Sequence, residues 1–130
     1  MQKEQFIHID TDGNKFYFSD REMSVRHRED GPAIEHANSD KEWWLNGKLH
    51  REDGPAYEAA DGYKEWFING KLHREDGPAI EYAHGSKEWR LNGGKLTEEE
   101  FNARMNPVEL TLDQIAAKFG VSVDQLKIKK

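Results

Sequence analysis

His27-Arg28-Glu29-Asp30-Gly31-Pro32-Ala33 returns unchanged at 50–56 and again at 73–79, each copy 23 residues after the last. A second phrase keeps the same step: Lys41-Glu42-Trp43-Trp44-Leu45-Asn46-Gly47, then Lys64-Glu65-Trp66-Phe67-Ile68-Asn69-Gly70, then Lys87-Glu88-Trp89-Arg90-Leu91-Asn92-Gly93. A fixed period of this length marks a repeat array, in which each unit buries its apolar face against its neighbours.

One unit reads as a pair of strands. A short strand is expected over 56–59, a turn at Asp61-Gly62 and a second strand over 64–68. Asn69-Gly70 is a type I′ hairpin signal, because both positions tolerate positive φ. Residues 74–78 turn the chain into the next unit, and Pro78, which lacks an N–H, suits that bend or the first residue of a strand. Repetition gives an antiparallel meander advancing roughly 9–10 Å per unit, from the usual strand spacing. Upstream, residues 6–9 read as a strand, Asp12-Gly13 as a turn and residues 15–18 as the return strand, a degenerate first unit. Three extra residues within 19–25 read as an enlarged loop in place of the Asn-Gly turn.

Strand alternation assigns faces. Trp43, Trp66 and Trp89 form one row beside Leu45, Ile68 and Leu91, with Ile34, Tyr57 and Ile80 expected to fill the gaps between the tryptophans. Trp44, Phe67 and Arg90 form the opposite row among Glu42, Glu65 and Glu88. The third unit ends differently. Asn92-Gly93-Gly94 carries an extra glycine, and Thr97 with Glu100 forms a capping box that starts a helix. Phe101 supplies its apolar contact and Asn106-Pro107 ends it. A second helix is expected over 112–119. The division is a hairpin array over 1–95 and a helical cap over 96–130 that covers the last open face.

Composition bounds the function. The chain has 130 residues, 35% hydrophobic and 34% charged, with a net charge of −6. Residues 1–94 hold 13 basic and 19 acidic side chains, while 95–130 hold six of each. An acidic array argues against nucleic acid and anionic membranes, which need basic surface. No cysteine is present, which removes disulfides, thiolate metal sites and cysteine nucleophiles. No apolar run is long enough to cross a bilayer as a helix.

His27, His50 and His73 lie two strands apart, near 10 Å, too far to share a metal bound at about 2 Å. Their expected role is structural. Asp53 and Asp76 are expected to cap their own turns, with Arg51 and Arg74 pairing with nearby carboxylates, and Arg28 and Asp30 hold the same structural places in the first copy of the motif. A catalytic carboxylate pair needs two unlike environments, whereas three copies supply three equal ones. No cofactor-binding motif is present, and the chain reads as a non-enzyme. The aromatic–acidic row of Glu42, Trp44, Glu65, Phe67, Glu88 and Arg90 is the expected partner-binding surface.

The Lys-Glu-Trp-x-x-Asn-Gly-Lys-Leu-His-Arg-Glu-Asp-Gly-Pro-Ala wording over residues 7–95 resembles variant MORN-type repeats, and also repeat proteins encoded by tailed bacteriophages. The resemblance implies a mainly β, elongated meander acting as a protein-binding scaffold. It further implies a phage product that engages, and inhibits, a host defence or regulatory protein in the bacterial cytoplasm. The alternative expectation is sequestration of a small signalling ligand such as a nucleotide by Arg51, Arg74, Arg90 and the tryptophans. Copies of the chain would associate through an open sheet edge or the C-terminal cap.

Overall fold

A computed structural model describes residues 5–106. The second helix expected over 112–119 lies outside the described residues.

The architecture is a meander. β1 (Phe6–Ile9) and β2 (Lys15–Phe18) form the first hairpin. There follow β3 (Ile34–Glu35), β4 (Lys41–Glu42), β5 (Trp44–Leu45), β6 (Lys48–Leu49), β7 (Tyr57–Glu58), β8 (Lys64–Glu65), β9 (Phe67–Ile68), β10 (Lys71–Leu72), β11 (Ile80–Glu81), β12 (Lys87–Leu91) and β13 (Gly94–Leu96). Nine strands make one sheet in the order β1-β2-β3-β4-β7-β8-β11-β12-β13, and every pairing is antiparallel. β5-β6 and β9-β10 are separate hairpins. No helix among the described residues is long and apolar enough to cross a membrane.

The strand expected over 64–68 is therefore broken at Trp66, as its counterpart is at Trp43. The cause is a change of partner. Trp43 N–H donates to the Ala56 carbonyl of the next unit, while its own carbonyl accepts from His50 N–H in its own hairpin. Trp66 repeats this with Ala79 and His73. In the last unit Trp89 pairs directly with Leu96, and β12 stays whole. The hairpin tips are joined in turn: Arg51 N–H donates to the Phe67 carbonyl and Gly70 N–H to the Leu49 carbonyl. Each tip is the expected type I′ turn, with Asn46, Asn69 and Asn92 at φ 51, 50 and 49° and a positive-φ glycine after each.

Register corrects one expectation. Ile34, Tyr57 and Ile80 stand opposite Glu42, Glu65 and Glu88, so they share the glutamate face. The residues between the rings are Ala33, Ala56 and Ala79, each fully buried. Ala33 lies between Tyr17 and Trp43 in the ladder, and Ala56 and Ala79 are hydrogen-bonded to Trp43 and Trp66. One strand must fit between successive large rings, and only a small side chain on it leaves room for them.

The tryptophan face also carries a charge ladder: Lys15, Glu35, Lys41, Glu58, Lys64, Glu81 and Lys87 stand side by side across seven strands, alternating in sign. Opposite charges at directly facing positions each favour this register.

The enlarged loop over 19–25 closes on Asp20, whose carboxylate accepts from the N–H groups of Ser24 and Val25. At the other end α1 (Glu98–Met105) starts on Thr97, whose hydroxyl accepts from Glu100 N–H while the Glu100 carboxylate accepts from Thr97 N–H. Such a cap is worth about 1 kcal/mol. The helix packs on β12 and β13 and buries Phe101.

Candidate functional site

The repeated motif builds a wedge. Arg51 lies flat on the Trp43 indole, its guanidinium carbon 3.9 Å from the ring centre. Nε donates to Asp53 Oδ1 at 2.9 Å, and one Nη donates to the Pro55 carbonyl at 3.0 Å and to Glu58 at 3.4 Å. On its other side is Gly54, where a Cβ would come within 2.8 Å of the guanidinium carbon. Arg74 repeats the arrangement on Trp66, and Arg28 does so on Tyr17, the first unit's counterpart of the tryptophans. The planar, delocalised guanidinium is suited to stacking and forked bonding at once.

This corrects the expected role of the aspartates. Asp30, Asp53 and Asp76 accept from Arg28, Arg51 and Arg74 rather than closing their own turns. The Arg51 guanidinium holds the Asp53 carboxyl below the usual carboxylate range, and Arg28, with Gln5, does the same for Asp30. Both aspartates therefore contribute stability that is present above their unfolded pKa and lost as acid protonates them in the folded state.

The histidines clasp the neighbouring hairpin. Nδ1 of His27, His50 and His73 accepts from the N–H of Asn46, Asn69 and Asn92, each at 2.9 Å. Nε2 of each faces the motif glutamate, Glu29, Glu52 or Glu75, at 3.5–3.6 Å. Among the described residues no three ligating side chains converge on a metal-sized site.

Between successive motifs the tryptophan face opens into grooves. One, of about 750 Å³, has Trp66 and Ile68 on its floor and 51–54 and 73–76 as walls. The next, of about 680 Å³, repeats it one unit earlier with Trp43 and Leu45. The walls end in Glu29-Asp30, Glu52-Asp53 and Glu75-Asp76, whose side chains are 63–86% exposed. Sequence reasoning assigned these residues to structure and missed the grooves, whose walls come from motif copies 23 residues apart.

The row expected to bind a partner lies on the opposite face. It is brought together as the period requires, but its groups are half-buried and largely engaged with one another. Glu42 accepts from Trp44 Nε1–H at 3.0 Å and pairs with His36 at 2.6 Å. Glu88 is held by Arg90 and Lys95, both at 3.1 Å, and its carboxyl is pushed below the usual range by them. Arg26 stacks on Trp44. Glu65 differs, because Phe67 has no donor to offer. Burial pushes its carboxyl above the usual range, with the Tyr63 hydroxyl as its polar neighbour and the Glu42 charge adding to the rise. Tyr63 and Tyr57 are pushed up in turn by burial and by nearby carboxylates.

A carboxyl raised in the folded state carries a penalty for ionising. Its favourable contribution is present at low pH and fades as pH rises through the folded pKa. Glu65→Gln is therefore expected to melt at a higher temperature than the native chain at neutral pH. The gap should close as the buffer is acidified, which calorimetric melts across pH would read.

No family model, no curated protein and no solved structure matches the chain.

Proposed function

We propose that the chain is a non-enzymatic binding module that holds a protein partner on the grooved tryptophan face. The observation that carries this reading is the repetition of an apolar aromatic floor between exposed acidic ridges, at a pitch of two strands. Such a comb complements an extended, basic segment, with apolar residues seated in successive grooves and lysine or arginine between the carboxylates. The likeness to phage-encoded repeat proteins makes a protein of the bacterial host, in its cytoplasm, the expected partner, and inhibition of that protein the expected consequence.

The nucleotide reading is the weaker one. Nε and one Nη of Arg51 and of Arg74 are already held by carboxylates and a carbonyl, and exposed acids surround both grooves. The second protein-binding reading keeps the Glu42, Trp44, Glu65, Phe67 row, favoured by the ionisation penalty at Glu65 that a partner's donor would relieve.

Capture from bacterial lysate separates the three. The baits are the native chain, Glu52→Lys with Glu75→Lys, and Trp44→Ala with Phe67→Ala, each checked for its fold by circular dichroism. The groove reading expects a stoichiometric protein that is lost only with the charge reversals. Loss only with the Trp44 and Phe67 changes would move the site to the opposite face. An ultraviolet-absorbing small molecule released on heating, with no captured protein, would overturn both.

A further inference from the structure

β1 forms one edge of the nine-stranded sheet, and its outer side is free of any described strand. The hydrogen-bond alternation shows which groups that edge offers. Tyr17 sends its N–H to Ala33 and its carbonyl to His27, both away from β1. Ile7, which stands opposite Tyr17, is therefore in a pair that exchanges no bonds, and so is Ile9 opposite Lys15. Their N–H and carbonyl groups point outward from the sheet. They are the most exposed large aliphatic residues among those described, at 44% and 61%. The charge ladder stops at this edge, because Ile9 stands where the next acidic residue would face Lys15. Phe6–Ile9 has neither charge nor proline, the devices that ordinarily keep an edge from pairing.

We infer that β1 pairs antiparallel with β1 of a second copy, about a two-fold axis at His8. This register sets Ile7 against Ile9 of the second copy, and Ile9 against its Ile7. The four outward backbone groups of each strand then exchange bonds with the same four of the other. No other register pairs all of them within the two isoleucines. It also places aliphatic against aliphatic and brings no ladder charge opposite a like charge, which matters for an acidic chain. At the opposite end of the array α1 packs on β12 and β13. A two-fold junction at β1 is self-complementary, each copy offering the same strand to the other. Strands of four residues make a small junction, so a weak association, roughly micromolar, is expected.

The chain has no cysteine, which gives a direct test. In this register His8 faces His8 of the second copy in a pair without hydrogen bonds, whose Cα atoms lie about 4.5 Å apart, within disulfide range. Full-length His8→Cys is expected to form a disulfide-linked dimer under mild oxidation, much faster than His84→Cys at an exposed turn. Sedimentation of the native chain should show mass rising toward twice the monomer with concentration. Ile9→Lys should stay monomeric with an unchanged melt. Equal cross-linking of the two cysteine variants, or a native mass fixed at the monomer, would overturn the proposal. A monomer whose Ile9→Lys variant melts lower would also do so, and would assign the edge to another segment of this chain.

Discussion

Gly54→Ala is expected to destabilise the protein by about 2 kcal/mol, and to lose that effect in an Arg51→Ala background. Gly54 does not have a positive φ, so alanine there meets no backbone penalty. On chain entropy alone the change would stabilise by about 0.4–1 kcal/mol. The obstacle is the guanidinium. A new Cβ would stand 2.8 Å from its central carbon, and Trp43 blocks retreat on the far side. Arg51 must leave, giving up its stack and its bonds to Asp53, Pro55 and Glu58, each bond to a charged group being worth about 1.5–3 kcal/mol before screening and partial exposure reduce it. With Arg51 already gone the same alanine should be neutral or stabilising. A double-mutant cycle on thermal or urea unfolding reads the sign change. Additive effects would mean that the glycine serves the backbone and not the arginine. Gly62, at φ +100° with open space around it, is the contrast: alanine there should cost stability whatever Arg51 is.

Trp66→Ala should have the largest single effect, about 3 kcal/mol of the 5–15 kcal/mol typical of a domain. The indole is the surface on which Arg74 lies at 3.9 Å, and it forms the floor of the larger groove. Its removal strands Arg74 between Asp76 and Glu81 without apolar support. Trp66→Phe keeps a ring face and should cost about 1 kcal/mol. Trp66→Leu, which fills space but offers no π face to the cation, should fall between phenylalanine and alanine. Leucine equal to phenylalanine in urea midpoints would show that volume alone matters. Gly94 pairs with Leu91 as Lys71 does with Ile68, so it is not the inserted residue expected. Thr97 takes the place of Arg74 and begins α1, Trp89 carries no stacked arginine, and Trp89→Ala should be insensitive to any arginine change.

Much of this was legible in the residues. The 23-residue step, the Asn-Gly turns and the Thr97–Glu100 box each act locally, through φ tolerance or one side-chain bond, and each appears where the sequence placed it. What the sequence hid depends on partners far along the chain. Alternation alone carried Trp66 into one continuous strand, but its carbonyl and N–H serve different neighbours, and the strand breaks there. Ile80 looked like filler between tryptophans because its volume suits the task, whereas register gave that place to Ala79. The aspartates followed their usual turn preference on paper and were claimed instead by an arginine two residues back. The walls of each groove come from two motif copies 23 residues apart, which is why the motif residues read only as structure.

Carboxyl footprinting of the captured complex tests the assigned binding face most directly. Carbodiimide coupling before and after partner binding, read by mass spectrometry, should show Glu29, Glu52 and Glu75 with their neighbouring aspartates losing reactivity. Glu98 and Glu99 on the helix should be unchanged. Protection confined to Glu42, Glu65 and Glu88, or none at the motif carboxylates, would contradict the account and move the partner off the grooved face.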